Sequence, residues 1–173
     1  MLSRRTRYQR RINRWRVFWV LVLVLAAATV FYMVKNRNQQ VNLIDPAQKL
    51  VVAGEAGWDY RQYLSADLDG DGSTETVVIM ARVAKDPERP GEYQWDDGQP
   101  WQIYIQDGDN ITHVYARWVQ LGNLIVFITD EESARLAIAE NEGAGFRLYM
   151  TKYTSNGQSK TRKLAGFSVL DRR

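Results

Sequence analysis

The stretch WQIYIQDGDNITHVYARW, residues 101–118, decides the fold class. Trp101, Ile103 and Ile105 fall on alternate positions, and a period of two is the periodicity of a β-strand. Asp-Gly-Asp-Asn at positions 107–110 then interrupts the alternation before a second β-rich run begins. Turn residues of this kind between two β-rich runs predict a β-hairpin.

Working outward from this hairpin, β-branched and aromatic runs predict further strands over residues 76–84, 124–129, 136–139, 146–153 and 164–169. Glycine and asparagine predict connecting loops at 122–123, 143–145 and 156–157, and a longer loop is expected at 85–100. The prediction is a mainly β fold. After one N-terminal transmembrane helix, a small antiparallel β-meander or sandwich-like domain follows.

The transmembrane helix is predicted from residues 17–34, VFWVLVLVLAAATVFYMV, which include no charged side chain. At a rise of 1.5 Å per residue, such a helix extends about 27 Å, close to the thickness of a bilayer core. Seven arginines precede the run, whereas only Lys35 and Arg37 follow it closely. This bias predicts a cytoplasmic N-terminus and an extracytoplasmic C-terminal part.

These features divide the chain into four predicted parts, which are a basic cytoplasmic tail at 1–16, the transmembrane helix at 17–34, a stalk at 35–46 and the β-rich domain at 47–173. A cleaved signal peptide is the alternative, because Ala26, Ala27 and Ala28 offer small residues for cleavage. In that case the mature protein is secreted rather than anchored.

The charge distribution bears on the partners of the domain. All 20 acidic residues follow position 40, together with 14 of the 23 basic ones, so this part carries a formal charge of −6. An acidic domain repels a phosphate backbone, and we therefore expect no nucleic-acid partner. The absence of cysteine excludes disulfides, thiolate metal sites and thiol nucleophiles.

The sharpest local motif is ADLDGDGSTETVVI, residues 66–79. It places acidic side chains at positions 1, 3, 5 and 9 of a loop, and four carboxylates so close together repel one another unless a hard cation binds them. Gly70 and Gly72 allow the positive φ angles of a tight turn, and the Ser73 carbonyl is an expected backbone ligand. We therefore predict a structural calcium site formed by Asp67, Asp69, Asp71, Ser73 and Glu75.

This loop is not an EF-hand, because position 12 is Val78 where an EF-hand needs a glutamate. It resembles instead the calcium loops of FG-GAP and VCBS repeats, whose D-x-D-x-D-G-x-x-[DE] signature precedes a β-strand. The resemblance covers about 15 residues in a single copy and implies a calcium loop rather than a whole propeller. A solvated acidic hairpin turn without an ion is the alternative interpretation.

The motifs of catalysis are weak in this sequence. The single histidine, His113, falls within a predicted strand and has no neighbouring nucleophile motif. Paired carboxylates at 96–97 and 130–132 leave open an envelope hydrolase of the two-carboxylate type. Tyr93 and Trp95, in the long polar loop, are instead candidates to stack on a glycan or a protein partner.

From the sequence we expect a non-enzymatic, membrane-anchored interaction or sensing module of the cell envelope. Its predicted partners are the lipid bilayer and an envelope protein or glycan. The envelope hydrolase and the secreted binding protein remain the alternatives.

Overall fold

The computed structural model describes residues 17–27, 29, 40–129, 134–143 and 145–168. The chain divides into two compact units, residues 1–39 and 40–173. In the first unit, residues 17–27 are helical, and the side chains of residues 17–25 are exposed. Among the described residues, no helix is both long and apolar enough to cross a membrane. The predicted tail and the end of the predicted span lie outside the described residues, so the transmembrane helix stays a prediction.

The second unit consists of β-strands. Their bounds are β1 Tyr60–Ala66, β2 Glu75–Ala81, β3 Ala84–Lys85, β4 Tyr93–Gln94, β5 Gly98–Asp107, β6 Asn110–Gln120, β7 Gly122–Thr129, β8 Arg135–Glu142, β9 Gly145–Thr154 and β10 Gln158–Ser168. All strand pairs within the sheets are antiparallel. The predictions of a mainly β fold and of the hairpin around residues 107–110 are confirmed.

Two four-stranded sheets carry the architecture. The first has the order β1-β2-β5-β6 and the second the order β10-β9-β8-β7, while β3 and β4 form a small separate pair. The sheets pack on each other through one apolar core that draws side chains from both, including Val77, Ile103, Leu136 and Ile138, each at most 1% exposed. Alternation along each strand sends these residues inward, because successive side chains point to opposite faces.

The outer face of the first sheet is covered by the chain that leads into β1. Val51 and Trp58 pack there against Val78, Met80 and Tyr104 in a second apolar cluster. The Tyr104 hydroxyl also accepts a hydrogen bond from the Ala53 amide at 3.1 Å. Both faces of β2 are therefore buried, which explains why its sequence TVVIMA is apolar without alternation.

A buried glutamine fastens this covering segment. Gln102 in β5 is fully buried. Its Oε1 accepts a hydrogen bond from the Val51 amide at 3.0 Å, and its Nε2 donates one to the Lys49 carbonyl at 2.6 Å. The side chain thus satisfies one donor and one acceptor of a segment that has no strand partner of its own.

Residues 40–46, which we expected in the stalk, belong to the folded domain. Gln40 pairs with Arg162 in β10, and the Val41 amide donates to the Thr161 carbonyl at 2.8 Å. Further along this segment, Leu43 and Asp45 exchange backbone hydrogen bonds with Ala116 in β6, and Leu43 is buried in the core. This short segment closes the edge strands of both sheets.

The chain crosses from the first sheet to the second at Leu121 and Gly122. Leu121 has a positive φ of 50°, and a Cβ on Gly122 would lie 1.7 Å from the Asn141 carbonyl oxygen. Glycine is therefore required by close backbone approach, and Gly122 begins β7 rather than forming the predicted loop. The loop predicted over residues 85–100 likewise contains β4 and the start of β5.

One buried carboxylate joins the sheets. Glu140 in β8 is 2% exposed and accepts a 2.7 Å hydrogen bond from the hydroxyl of Tyr115 in β6. Arg147 in β9 forms an ion pair with the same carboxylate, and Arg117 approaches it at 3.5 Å. Burial and the neighbouring Glu140 charge raise the pKa of Tyr115, so its hydroxyl stays protonated and remains a donor.

Candidate metal centre

The acidic loop connects β1 to β2, and its two ends are held by strand pairing. Ala66, the last residue of β1, pairs with Glu75, the first of β2. Leu68 is 2% exposed and packs into the main core, which fixes the start of the loop. Gly70 and Gly72 have φ angles of 84° and 90°, as the turn prediction required. The turn therefore places alternate side chains of the loop on the same side of the backbone.

The carboxylates of Asp67, Asp69, Asp71 and Glu75 come together in this loop. Each offers one oxygen, and these four oxygens all lie within 4.8 Å of one another. The structure therefore gathers the four acidic side chains that the sequence motif singled out.

The three aspartates also organise the turn itself. Asp67 accepts from the Gly70 amide at 2.7 Å and from the Gly72 amide at 3.0 Å. Asp69 accepts from the Asp71 amide at 3.1 Å, and Asp71 accepts from the Ser73 amide at 2.6 Å. Since each carboxylate oxygen has two lone pairs, these bonds leave acceptor capacity on every aspartate.

Glu75 differs from the aspartates because it is buried. The residue is 1% exposed, and its Oε2 accepts the Leu68 amide at 2.6 Å. Its Oε1 is buried without a hydrogen-bond partner among the described residues. A buried carboxylate oxygen with no partner costs free energy, whereas a bound cation would compensate it.

Burial raises the pKa of Glu75 above its usual value, the Leu68 amide opposes that rise, and the charge of Asp69 adds to it. Asp107 and Asp67 raise the same pKa further. Asp107 lies at the end of β5, which pairs with β2. In the sequence, Asp107 is recognisable only as a turn residue, because no local pattern reveals which strand neighbours β2.

Chemically, this arrangement can hold one divalent cation. Four negative side chains supply oxygen ligands of the kind that calcium and magnesium prefer, with no nitrogen or sulfur donor among them. Opposite oxygens around calcium lie roughly 4.6–5.2 Å apart, since the metal–oxygen distance is about 2.3–2.6 Å. Because the four oxygens all lie within 4.8 Å of one another, none is further from another than two oxygens bound to the same calcium ion can be.

No protein-family model matches the chain, and no curated protein or solved structure shows significant similarity to it. The site must therefore be interpreted from its own geometry.

The two aromatic residues proposed as a ligand surface belong to a larger aromatic cluster. Trp95 stacks on Trp101 with ring centroids 5.6 Å apart and planes inclined by 10°. Tyr60 meets both tryptophans edge to face, and Tyr93 packs against Tyr60 at 5.5 Å. Trp101 is buried, whereas Trp95 is 47% exposed. One side of the Trp95 ring therefore packs on the cluster, and the rest of the ring is accessible to solvent.

The remaining candidates lie apart from the acidic loop. His113 is half-buried in β6 beside the Tyr104 ring at 5.4 Å, and burial lowers its pKa. Asp96 and Asp97 are exposed between β4 and β5. The acidic residues 130–132 lie outside the described residues. Among the described residues, only the acidic loop brings three or more metal-ligating side chains together.

Proposed function

We propose that the protein is a single-pass membrane protein whose extracytoplasmic β-domain binds one structural calcium ion and acts as a non-enzymatic interaction or sensing module of the cell envelope. The observation that carries the calcium proposal is the buried Glu75 carboxylate, whose Oε1 is unpartnered beside three aspartates. In an ordinary solvated turn, nothing would offset the free-energy cost of burying a fourth acid at its end.

Calcium suits this loop better than magnesium. Magnesium requires near-ideal octahedral geometry at about 2.0–2.1 Å and keeps much of its water, whereas calcium accepts irregular carboxylate and carbonyl ligands. The proposed ligands are Asp67, Asp69, Asp71, Glu75 and the Ser73 carbonyl. In this proposal the loop is a single-copy relative of the FG-GAP and VCBS calcium loops, and the ion fixes the turn between β1 and β2.

Isothermal titration of the full chain in micelles, with calcium and then magnesium, tests the site. The Glu75→Gln variant is the specific control, because glutamine retains an oxygen for the Leu68 amide but removes one charge. A matched control is Glu88→Gln, since Glu88 is an exposed acid outside the loop. Equal calcium binding by all three proteins would refute the assignment.

The membrane anchor is proposed from residues 17–34 and from the arginines that precede them. The exposed apolar side chains of residues 17–25 agree with a lipid environment. Because the chain has no cysteine, single-cysteine variants at Ser3 and Ser155 report topology when intact cells are treated with a membrane-impermeant thiol reagent. We expect labelling only at position 155. Labelling at both positions, or at position 3 alone, would refute the orientation, and release of a shortened chain would indicate the secreted alternative.

The half-open ring of Trp95, supported by Trp101 and flanked by Tyr93, is the proposed contact for a glycan or protein partner. Cell-wall pull-down of Trp95→Ala tests it, with Tyr63→Ala as the control because Tyr63 is an exposed aromatic on β1, outside the aromatic cluster. Unchanged retention of Trp95→Ala would refute this contact.

A further inference from the structure

The outer face of the second sheet differs from that of the first, because its large apolar side chains are open to solvent. Ile125 and Phe127 in β7 are 53% and 45% exposed, and Phe167 in β10 is 65% exposed. Phe167 stacks on Phe146 of β9 with ring centroids 6.1 Å apart. On the first sheet, the corresponding face is covered by Val51 and Trp58.

Strand register shows that these residues form one continuous surface. Phe127 pairs with Ala137, which pairs with Met150, while Ile125 pairs with Ala139, which pairs with Leu148. Both alanines are buried although they face outward, because larger neighbours on each side cover them. The surface is defined by Ile125, Phe127, Phe146, Leu148, Met150 and Phe167, and we call it the apolar face.

Basic residues border the apolar face at one end. Lys152 pairs with Lys160, and Arg162 pairs with Met150, so all three lie on the same side of the sheet as the apolar face. The sequence of β9 and β10 contains no acidic residue. The register places no Asp or Glu at the outward positions of β7 and β8 either. Among the described strand positions of this sheet, the outward side chains therefore include no acid.

The attachment of the domain also ends at this basic border. Gln40 pairs with Arg162, and only residues 35–39 separate it from the end of the apolar run at Val34. A fully extended peptide spans at most about 3.6 Å per residue, so these residues reach no further than roughly 20 Å. If residues 17–34 are embedded as proposed above, this chain length allows the basic border to reach lipid headgroups.

We propose that the outer face of the second sheet docks on a bilayer containing anionic lipid, with Phe127 and Phe167 entering the headgroup region and Lys152, Lys160 and Arg162 contacting acidic headgroups. This inference rests on the membrane attachment in the proposed function. Apolar insertion combined with basic side chains is the usual chemistry of peripheral binding to anionic membranes. A second copy of the chain lacks the required complementarity, because the outward strand positions of the same face offer no acidic side chain to pair with the basic border.

Site-specific fluorescence tests this proposal on the full chain in nanodiscs of phosphatidylcholine, with or without phosphatidylserine. An environment-sensitive dye is placed through single cysteines at Phe127, at Tyr63 on the opposite side of the sandwich, and at Leu25. Lipids spin-labelled near the headgroup or deep in the acyl chain then quench the dye according to its depth.

We expect shallow quenching at position 127 that requires phosphatidylserine, no quenching at 63, and deep quenching at 25. Replacing Lys152 and Lys160 by glutamine should weaken docking about 25-fold, since each lysine contributes about a factor of five near an anionic surface. The control pair Lys49→Gln and Lys85→Gln should leave docking unchanged.

The outcomes separate the two proposals. Quenching at 25 without quenching at 127 overturns docking while leaving the anchor in place. An absence of deep quenching at 25 overturns the anchor itself. Close spin–spin distances between label sites at position 127 of two chains would show that a second copy covers the face, and would overturn the lipid assignment.

Discussion

Calcium should raise the thermal stability of the β-domain by a predictable amount. Extracellular calcium modules bind with dissociation constants of about 0.1–1 mM, so calcium at about 5 mM should contribute roughly 1–2.3 kcal/mol to the free energy of unfolding. For a domain of about 130 residues, this corresponds to a rise in midpoint of about 4–8 °C. Magnesium should produce a smaller rise.

The assay is thermal unfolding of the full chain in micelles, monitored by tryptophan fluorescence in EDTA, calcium or magnesium. Glu75→Gln should lose most of the calcium-induced rise. In EDTA it should unfold at the wild-type temperature or above it, because glutamine removes a buried charge yet keeps an acceptor for the Leu68 amide. A calcium shift of the same size in wild type and variant would refute the reasoning.

The effect should also depend on pH in a defined direction. Folding raises the pKa of Glu75 above 4.5, so in EDTA the folded state binds this proton more tightly than the unfolded state. The resulting stability is complete below the unfolded pKa and is lost as the pH rises through the folded pKa. Calcium requires the ionised carboxylate, so its stabilisation should instead be small near pH 4.5 and grow toward neutral pH. The opposite trend would exclude Glu75 as a ligand.

Three further predictions concern the fold. Tyr115→Phe should lower the free energy of unfolding by about 1.5–3 kcal/mol in denaturant titrations, because it removes a donor to the buried Glu140 carboxylate; no loss would contradict the proposed link between the sheets. Gln102→Leu should speed hydrogen exchange at the Val51 amide, whose acceptor it removes, and unchanged exchange measured by NMR would show that other contacts hold the segment. Burial lowers the pKa of His113 below 6.5, so its contribution to stability should be present above that pH and decline as the pH falls through the folded pKa. The His113→Phe variant should lack this decline in the pH profile of unfolding.

The sequence was sufficient to predict most strands, because each alternates or runs apolar according to which faces it buries. It failed for β1, YRQYLSA, in which only Tyr60, Leu64 and Ala66 contact the core. An edge strand that buries so little has no clear period, and its pairing with β2 is decided by the loop between them. The role of residues 40–46 was missed for the same reason, since Leu43 is the one fully buried residue of this short segment and Val41 only partly packs against the core.

The sequence predicted the residues of the candidate site more completely than it predicted the surrounding fold. Spacing alone identified the four carboxylates, because a loop of this kind is a local structure whose ligands are close in sequence. Spacing did not reveal that Glu75 is buried or that Asp107 approaches it, since both depend on the pairing of β2 with β5. Likewise, Trp95 was identified as an aromatic of the loop, but its stacking on Trp101 is a tertiary contact.

The segment that closes both sheet edges has a mechanical consequence. Any tension transmitted along the chain from its N-terminal side enters the domain at Gln40 and meets the backbone bonds of Val41 to β10, then those of Leu43 and Asp45 to β6. The two sheets therefore share the load, and no single strand is pulled away from its sheet first. Once these few bonds rupture, two strand edges become free together, so this segment would act as the first breaking point under force.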